Sequence, residues 1–146
     1  MNVSIIVPAF NEENRIKTTL LAIDDFLESS DIKAEVIVVN DGSTDRTEKI
    51  VEKCKKNMPY LRMISYEENR GKGYAVKVGV EKSTGDYILF TDADNSTPIE
   101  EVEKLMAEIK QHGYDIAIGS RYLSNSQVKV KQPLFRIIIG KTGNIL

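Results

Sequence analysis

Asp92 and Asp94 stand one residue apart, just where the apolar run at 87–90 gives way to Thr91. Two carboxylates in such a place are oxygen ligands for a hard divalent cation such as Mg²⁺ or Mn²⁺. An ion of this kind usually takes only one or two carboxylates from a protein and completes its shell with water and substrate phosphates. The pair therefore points to a phosphorylated ligand. Asp-x-Asp alone is a weak signal, because acids also serve simply to solvate a strand-to-loop turn. Its weight depends on what the rest of the chain places around it.

Four other polar clusters follow apolar runs. Pro8, Ala9 and Phe10 lead into Asn11 and Glu12, where Pro8 fixes the backbone and the two polar residues open a helix. In Asn40-Asp41-Gly42-Ser43-Thr44-Asp45 the glycine permits a tight turn and Asp41 can accept hydrogen bonds from a base or a ribose, while Asp45 suits the positive end of a helix. Asn69-Arg70-Gly71-Lys72-Gly73 sets two cations and two glycines at a helix start, a combination that admits a phosphate close to backbone amides. Gly119-Ser120-Arg121 brings a guanidinium whose planar fork matches phosphate oxygens. Neither the P-loop spacing nor the Gly-x-Gly-x-x-Gly dinucleotide signature is present, which removes the main support for ATPase and dehydrogenase chemistry. The single histidine, His112, sits beside Gly113 at an expected helix end, so Ser-His triads and His-based zinc sites find no material. Cys54 falls in a helix-like stretch and reads as a reduced, half-buried thiol.

These clusters need elements to carry them. Short β-branched runs at 3–7, 35–39, 61–66, 86–91 and 115–119 each end in a polar turn, and most are followed by a helix-length segment. Ile16, Leu20, Ile23 and Leu27 form one apolar helix stripe; further helices are expected near 44–56 and 71–82. A fourth should be capped by Thr97, with Pro98 in its first position, Glu100 three residues after the cap, and an end near His112. Strands as apolar as 36–39 suit the centre of a parallel sheet covered on both faces, so the expected fold is α/β, a three-layer sandwich with a mostly parallel central sheet. Ligands of such sheets bind beyond the carboxyl ends of the strands, and all five polar clusters lie at those ends.

The chain has 146 residues, 41% hydrophobic and 29% charged, enough for one globular domain spanning 1–146. Only 124–133 has a linker-like composition. A formal net charge of -2 gives no overall attraction to nucleic acid, so an anionic ligand must be held by local cations or a metal. The amino terminus lacks the basic and long apolar regions of a signal peptide, and the apolar stretch at 134–146 is broken by Arg136, Gly140, Lys141 and Asn144 and too short to cross a bilayer. A cytoplasmic location is expected, at most against the cytoplasmic face of a membrane.

Taken together, Val-Pro-Ala-Phe-Asn-Glu at 7–12, Asn-Asp-Gly-Ser-Thr-Asp at 40–45, Asn-Arg-Gly-Lys-Gly at 69–73, Asp-Ala-Asp at 92–94 and Gly-Ser-Arg at 119–121 resemble, in order and spacing, family 2 glycosyltransferases of the GT-A fold. The likeness covers nearly the whole chain and is strongest to the branch that transfers a sugar from a nucleotide diphosphate to a polyprenyl or dolichyl phosphate. It implies that Pro8, Ala9, Phe10, Glu12 and Asp41 surround the nucleoside, that Asp92 reaches ribose or metal, and that Asp94 ligates the metal bridging the diphosphate. It implies phosphate contacts for Arg121 and Arg136, beside the two cations Arg70 and Lys72. Two residues after the second acid, where the family can offer a further ligand, this chain has Ser96, a weaker one.

An inverting single displacement is expected, yielding a polyprenyl-phosphate sugar from a UDP- or GDP-sugar. A lipid phosphate is already ionised near neutral pH and attacks without a general base. Domains of the family normally continue past the point where this chain stops, so a truncated domain is expected. The segment 124–146 then reads as acceptor- or membrane-proximal, with its apolar residues meeting a membrane, this domain or a second copy of the chain. Two alternatives stay open at this point. One is a non-catalytic nucleotide-binding or scaffold domain. The other is a haloacid-dehalogenase-like phosphohydrolase, whose Asp-x-Asp loop would, however, end the first strand rather than the fourth.

Overall fold

The computed structural model describes residues 2–120. Four strands, β1 (Asn2–Ala9), β2 (Lys33–Asp41), β3 (Leu61–Tyr66) and β4 (Tyr87–Phe90), alternate with α1 (Ile16–Ser29), α2 (Thr47–Lys55), α3 (Lys72–Glu81) and α4 (Glu101–His112). The strands form one sheet in the order β3-β2-β1-β4 with every pairing parallel. Val3 of β1 stands opposite Ala34 of β2 and Tyr87 of β4, and Ala9 opposite Asn40, so the polar residues that end β1 and β2 emerge side by side.

β1 and β2 are central, and their sequences say why. Ile5, Ile6, Val7, Val36, Ile37, Val38 and Val39 are all 1% exposed or less, which requires helices on both faces. On one face Ile6, Ile37 and Val39 pack with Ala75 of α3. Right-handed crossovers put α1 and α2 on the other face, where they pack against each other. The helices and sheet thus make the expected three layers. α1 buries Ile16, Leu20 and Ile23 as expected, but the stripe closes on Phe26 rather than Leu27 and includes Thr19. α2 starts at Thr47, later than the expected 44, because Thr44 and Asp45 are held outside the helix by bonds to the loop after β1.

Two expectations are corrected. The regular part of α4 begins at Glu101; before it, Pro98, Ile99 and Glu100 accept from the amides of Glu101, Val102 and Glu103 in tight i to i+3 turns. The expected strand at 115–119 does not form. Ile116 and Ile118 are 76% and 81% exposed, and a strand needs both a neighbour's ladder and a covered face.

The chain divides into two compact units, Met1–Lys104 and Leu105–Leu146. The first holds the whole sheet. In the second, Gly113 donates its amide to Ile109 to close α4, and His112 lies 3.6 Å from Glu108. Among the described residues no helix is long and apolar enough to cross a membrane. The segment 124–146 lies outside the described residues.

Candidate functional site

A cavity of about 440 Å³ opens at the carboxyl ends of the strands. The exit of β1 contributes Pro8, Ala9, Phe10 and Glu12; β2 contributes Asp41; the turn into α3 contributes Asn69, Gly71 and Lys72; the exit of β4 contributes Asp92, Ala93 and Asp94. Residues far apart in sequence converge because parallel strands all deliver their polar exits to the same rim. Of the residues singled out from the sequence, Pro8, Ala9, Phe10, Glu12, Asp41, Lys72, Asp92 and Asp94 line this one cavity. Arg121 and Arg136 lie outside the described residues.

Local bonds hold the rim in shape. The loops after β1 and β2 are laced together: Asn11 donates its amide to Ser43 Oγ at 3.0 Å and accepts from the Thr44 amide at 2.9 Å. Glu12 donates its amide to Thr47 Oγ1 at 2.8 Å, and Glu13 to Asp45 Oδ2 at 3.1 Å. Asp45 also accepts from the Thr47 amide at 2.9 Å, so it both satisfies the first amide of α2 and ties the loops together. Gly42 permits this arrangement. Its φ is +69°, and a Cβ there would stand 2.7 Å from the Asn69 nitrogen and from the Glu67 oxygen.

Asp41 is 2% exposed and is bonded mainly to protein. Its Oδ1 accepts from the Arg70 amide at 2.8 Å; its Oδ2 accepts from the Gly71 amide at 2.9 Å and from Asn69 Nδ2 at 3.1 Å. Three of the roughly four acceptor positions of a carboxylate are thus occupied within the protein. The Tyr66 hydroxyl is buried beside this group without a well-formed hydrogen bond, and burial, followed by the neighbouring Asp41 carboxylate, raises it above its ordinary pKa.

Arg70 departs from expectation. Its guanidinium lies 5.1 Å from the centre of the Tyr74 ring and donates to the Tyr74 hydroxyl at 3.0 Å, so its side chain is not part of the cavity lining. What Arg70 gives the site is its backbone amide. Lys72 does line the cavity, with its ammonium on Asp92 Oδ1 and 5.8 Å from the Phe90 ring centre. Gly71, at φ +88°, turns the chain so that α3 starts there.

The acidic turn has its own supports. Thr91 donates its amide to Ile6, extending the β1 pairing, and the Ser96 amide donates to Asp94 Oδ1 at 2.9 Å. Partial burial opposes ionisation of Asp94, but bonds from Ser96 and the nearby Arg15 outweigh it and hold the carboxyl below its ordinary pKa. Asp94 is therefore an anion at neutral pH. Glu12 is engaged by Arg15 in a two-pronged pair, at 2.7 Å and 2.9 Å. Among the described residues no three His, Cys, Asp or Glu side chains cluster to enclose a metal. Two carboxylates facing a wet cavity fit instead a hard cation that draws its remaining ligands from phosphate and water.

Sequence reasoning did not assign Asn69, Arg15 or Thr19. Asn69 lay inside a quoted motif and carried a usable signal, an amide beside two cations. Arg15 carried the i,i+3 spacing to Glu12, while Thr19, inside a helix with its partner 74 residues away, gave none. Cys54 is buried in α2, and burial pushes its thiol up, away from nucleophilic chemistry.

Comparison with known proteins agrees with this geometry. The family model described as glycosyl transferase family 2 matches residues 4–144. A dolichyl-phosphate beta-glucosyltransferase of Trichomonas vaginalis is 35% identical over 99% of this chain and 47% of its own length. The crystal structure of S. aureus TarS 1-349 in complex with UDP-GlcNAc superposes with a TM-score of 0.65 at 28% identity, covering 86% of this chain and 39% of that one. The mannosyltransferase PcManGT from Pyrobaculum calidifontis, in complex with GDP-Man and Mn²⁺, gives 0.59 at 32% identity over 69% and 30%. The chain spans less than half the length of each of these relatives. The phosphohydrolase alternative loses its ground, since the acid pair follows β4 and the match runs almost end to end. Sheet order, cavity and motif order therefore all have one source: the chain belongs to glycosyl transferase family 2 and has its GT-A fold.

Proposed function

We propose that this chain carries the donor-binding site of a glycosyltransferase that moves a sugar, with inversion, from a UDP- or GDP-sugar to a polyprenyl or dolichyl phosphate. The observation that carries the reading is the convergence of Phe10, Asp41, Lys72, Asp92 and Asp94 on one cavity. Phe10, 45% exposed, offers an aromatic surface on which a base can stack. Asp41 keeps the 69–71 turn close, so that Asn69 and the backbone meet the nucleoside. Lys72 brings a positive charge to the diphosphate end.

Asp94, with Asp92, would hold a divalent cation, Mg²⁺ or Mn²⁺. When bound, such an ion supplies neutralisation of the charge that grows on a departing nucleoside diphosphate. The residues of the chain do the rest of the positioning: carboxylates fix one end of the donor, the aromatic edge the other, and the strand exits keep the two in register. An ionised lipid phosphate needs no base, and no residue of the cavity is assigned to that role. The place of work on this reading is the cytoplasmic face of a membrane that carries the acceptor.

Calorimetric titration of the full chain with UDP, GDP and their sugars, in Mn²⁺ or Mg²⁺ and then in chelator, tests the reading. Metal-dependent binding of one nucleotide series is expected. Absence of nucleotide binding in any of these conditions would overturn it.

A further inference from the structure

α1 buries its sheet-facing stripe at Ile16, Leu20, Ile23 and Phe26, yet the stripe position between the first two is Thr19, 2% exposed. A helical threonine commonly returns its hydroxyl to the carbonyl four residues back. Here that carbonyl, on Arg15, is 3.4 Å away, while the carbonyl of Ala93 is 2.7 Å away and buried. A hydroxyl has one proton to donate, and the shorter contact takes it. The bond spans 74 residues and ends on the residue between Asp92 and Asp94.

We infer that Thr19 is a positioning residue for the acidic turn: its hydroxyl fixes the peptide that joins Ala93 to Asp94, and so aims the Asp94 carboxylate into the cavity. The peptide unit is planar, so holding its carbonyl also sets the nitrogen and Cα of Asp94, from which its side chain leaves the backbone. The other restraints act on the Thr91 amide upstream, through Lys72 on the Asp92 side chain, and through the Ser96 amide on the Asp94 side chain. Among the described residues Thr19 is the side chain that reaches the Ala93 backbone from another element. Ala93 is 4% exposed, so water is poorly placed to replace the lost donor. A freed carbonyl would rotate toward solvent and carry Asp94 with it. This assignment rests on the metal-dependent donor site proposed above.

The test compares Thr19→Val, which keeps the shape and loses the donor, with Thr19→Ser, which keeps the donor. Thr19→Val is expected to weaken binding of UDP in Mn²⁺ by about tenfold, the scale of one lost buried hydrogen bond, with UDP binding in chelator within about twofold of the parent. Thr19→Ser should return most of the affinity in Mn²⁺. Backbone amide NMR in the absence of ligand gives a second readout: the Asp94 and Ser96 amides should shift and exchange faster in Thr19→Val and stay in place in Thr19→Ser. Unchanged amides in Thr19→Val, or a serine variant no better than valine, would overturn the assignment. If the parent binds no nucleotide in Mn²⁺, the donor-site reading falls, and the amides alone decide whether Thr19 holds the turn.

Discussion

Lys72 and Asp92 form an ion pair in which both side chains are about half exposed, 55% and 49%. Exposed pairs of this kind contribute little to stability, about 0–1 kcal/mol, so the interest of the pair is chemical. The ammonium occupies an oxygen that a divalent cation would use. Lys72→Met should leave thermal stability nearly unchanged and raise the affinity for Mn²⁺ alone by roughly threefold to tenfold, because a competing charge is gone. The same variant should bind UDP less well, having lost a phosphate partner. Mn²⁺ binding followed by electron paramagnetic resonance checks the first effect and calorimetry the second; metal affinity that falls would show that Lys72 does not compete. Asp94→Asn is the complement: one charged ligand is removed without changing size, and metal-dependent UDP binding should drop by about tenfold or more with folding intact by circular dichroism. Equal affinity would take Asp94 out of the site. That Lys72 and Asp94 would line one cavity was readable from type and spacing, since a lysine after β3 and carboxylates after β4 emerge at the same rim of a parallel sheet. Thr19 was not, because its partner is chosen by packing of α1 against β4's exit rather than by any local pattern.

At the level of elements, the end of the sheet opposite the cavity is fastened by Glu35 of β2. Its Oε1 accepts from Ser4 Oγ and the Thr84 amide, each at 2.6 Å, and its Oε2 from Arg62 at 2.6 Å; Ser4 Oγ in turn accepts from the Gly85 amide. One carboxylate thus ties β1, β2, β3 and the connection into β4. Burial opposes its ionisation, but the bonds from Ser4 and Thr84 and the charge of Arg62 prevail and lower its pKa to about 2. Folding therefore stabilises the ionised form. The contribution is complete above the ordinary glutamate value of 4.5 and is lost as pH falls from there toward 2. Glu35→Gln should cost about 1–3 kcal/mol at neutral pH and flatten the loss of stability between pH 4.5 and 2, as read by urea denaturation across that range. A variant as acid-sensitive as the parent would place the titration elsewhere. Nothing in the sequence marked Glu35, which looks like a polar residue at a strand start. Element type was legible for all four strands of the sheet and all four helices, because unbroken β-branched runs mark buried parallel strands and a helix stripe or a cap signal survives in a single segment. Boundaries were not: Thr44 and Asp45 delay α2 by bonding to another loop, and tight backbone turns at 98–103 delay α4. The run at 115–119 has strand composition but no ladder, and composition alone cannot supply a neighbour.

The whole molecule carries a formal net charge of -2, so a nucleoside diphosphate approaches a chain of its own sign. Its phosphates must be compensated locally, and among the described residues the cavity side chain offering positive charge is Lys72, already paired with Asp92. Binding strength should therefore be divided unequally: little from the nucleoside, most from the coupling of phosphate with a bound cation. Ligand that binds only the folded state stabilises it by about 2.7 kcal/mol at a hundredfold excess over Kd, which for a chain of this size is a rise in Tm of roughly 5–10 °C. Thermal melts of the full chain should show that rise for UDP or GDP with Mn²⁺, and much smaller shifts for the same nucleotide in chelator, for Mn²⁺ alone, and for uridine or guanosine with Mn²⁺. The pattern discriminates between sources of affinity because only the first mixture places cation and phosphate together. Equal shifts with and without chelator would mean that Lys72 and backbone amides hold the diphosphate unaided, and Asp92 and Asp94 would then serve the turn rather than a metal.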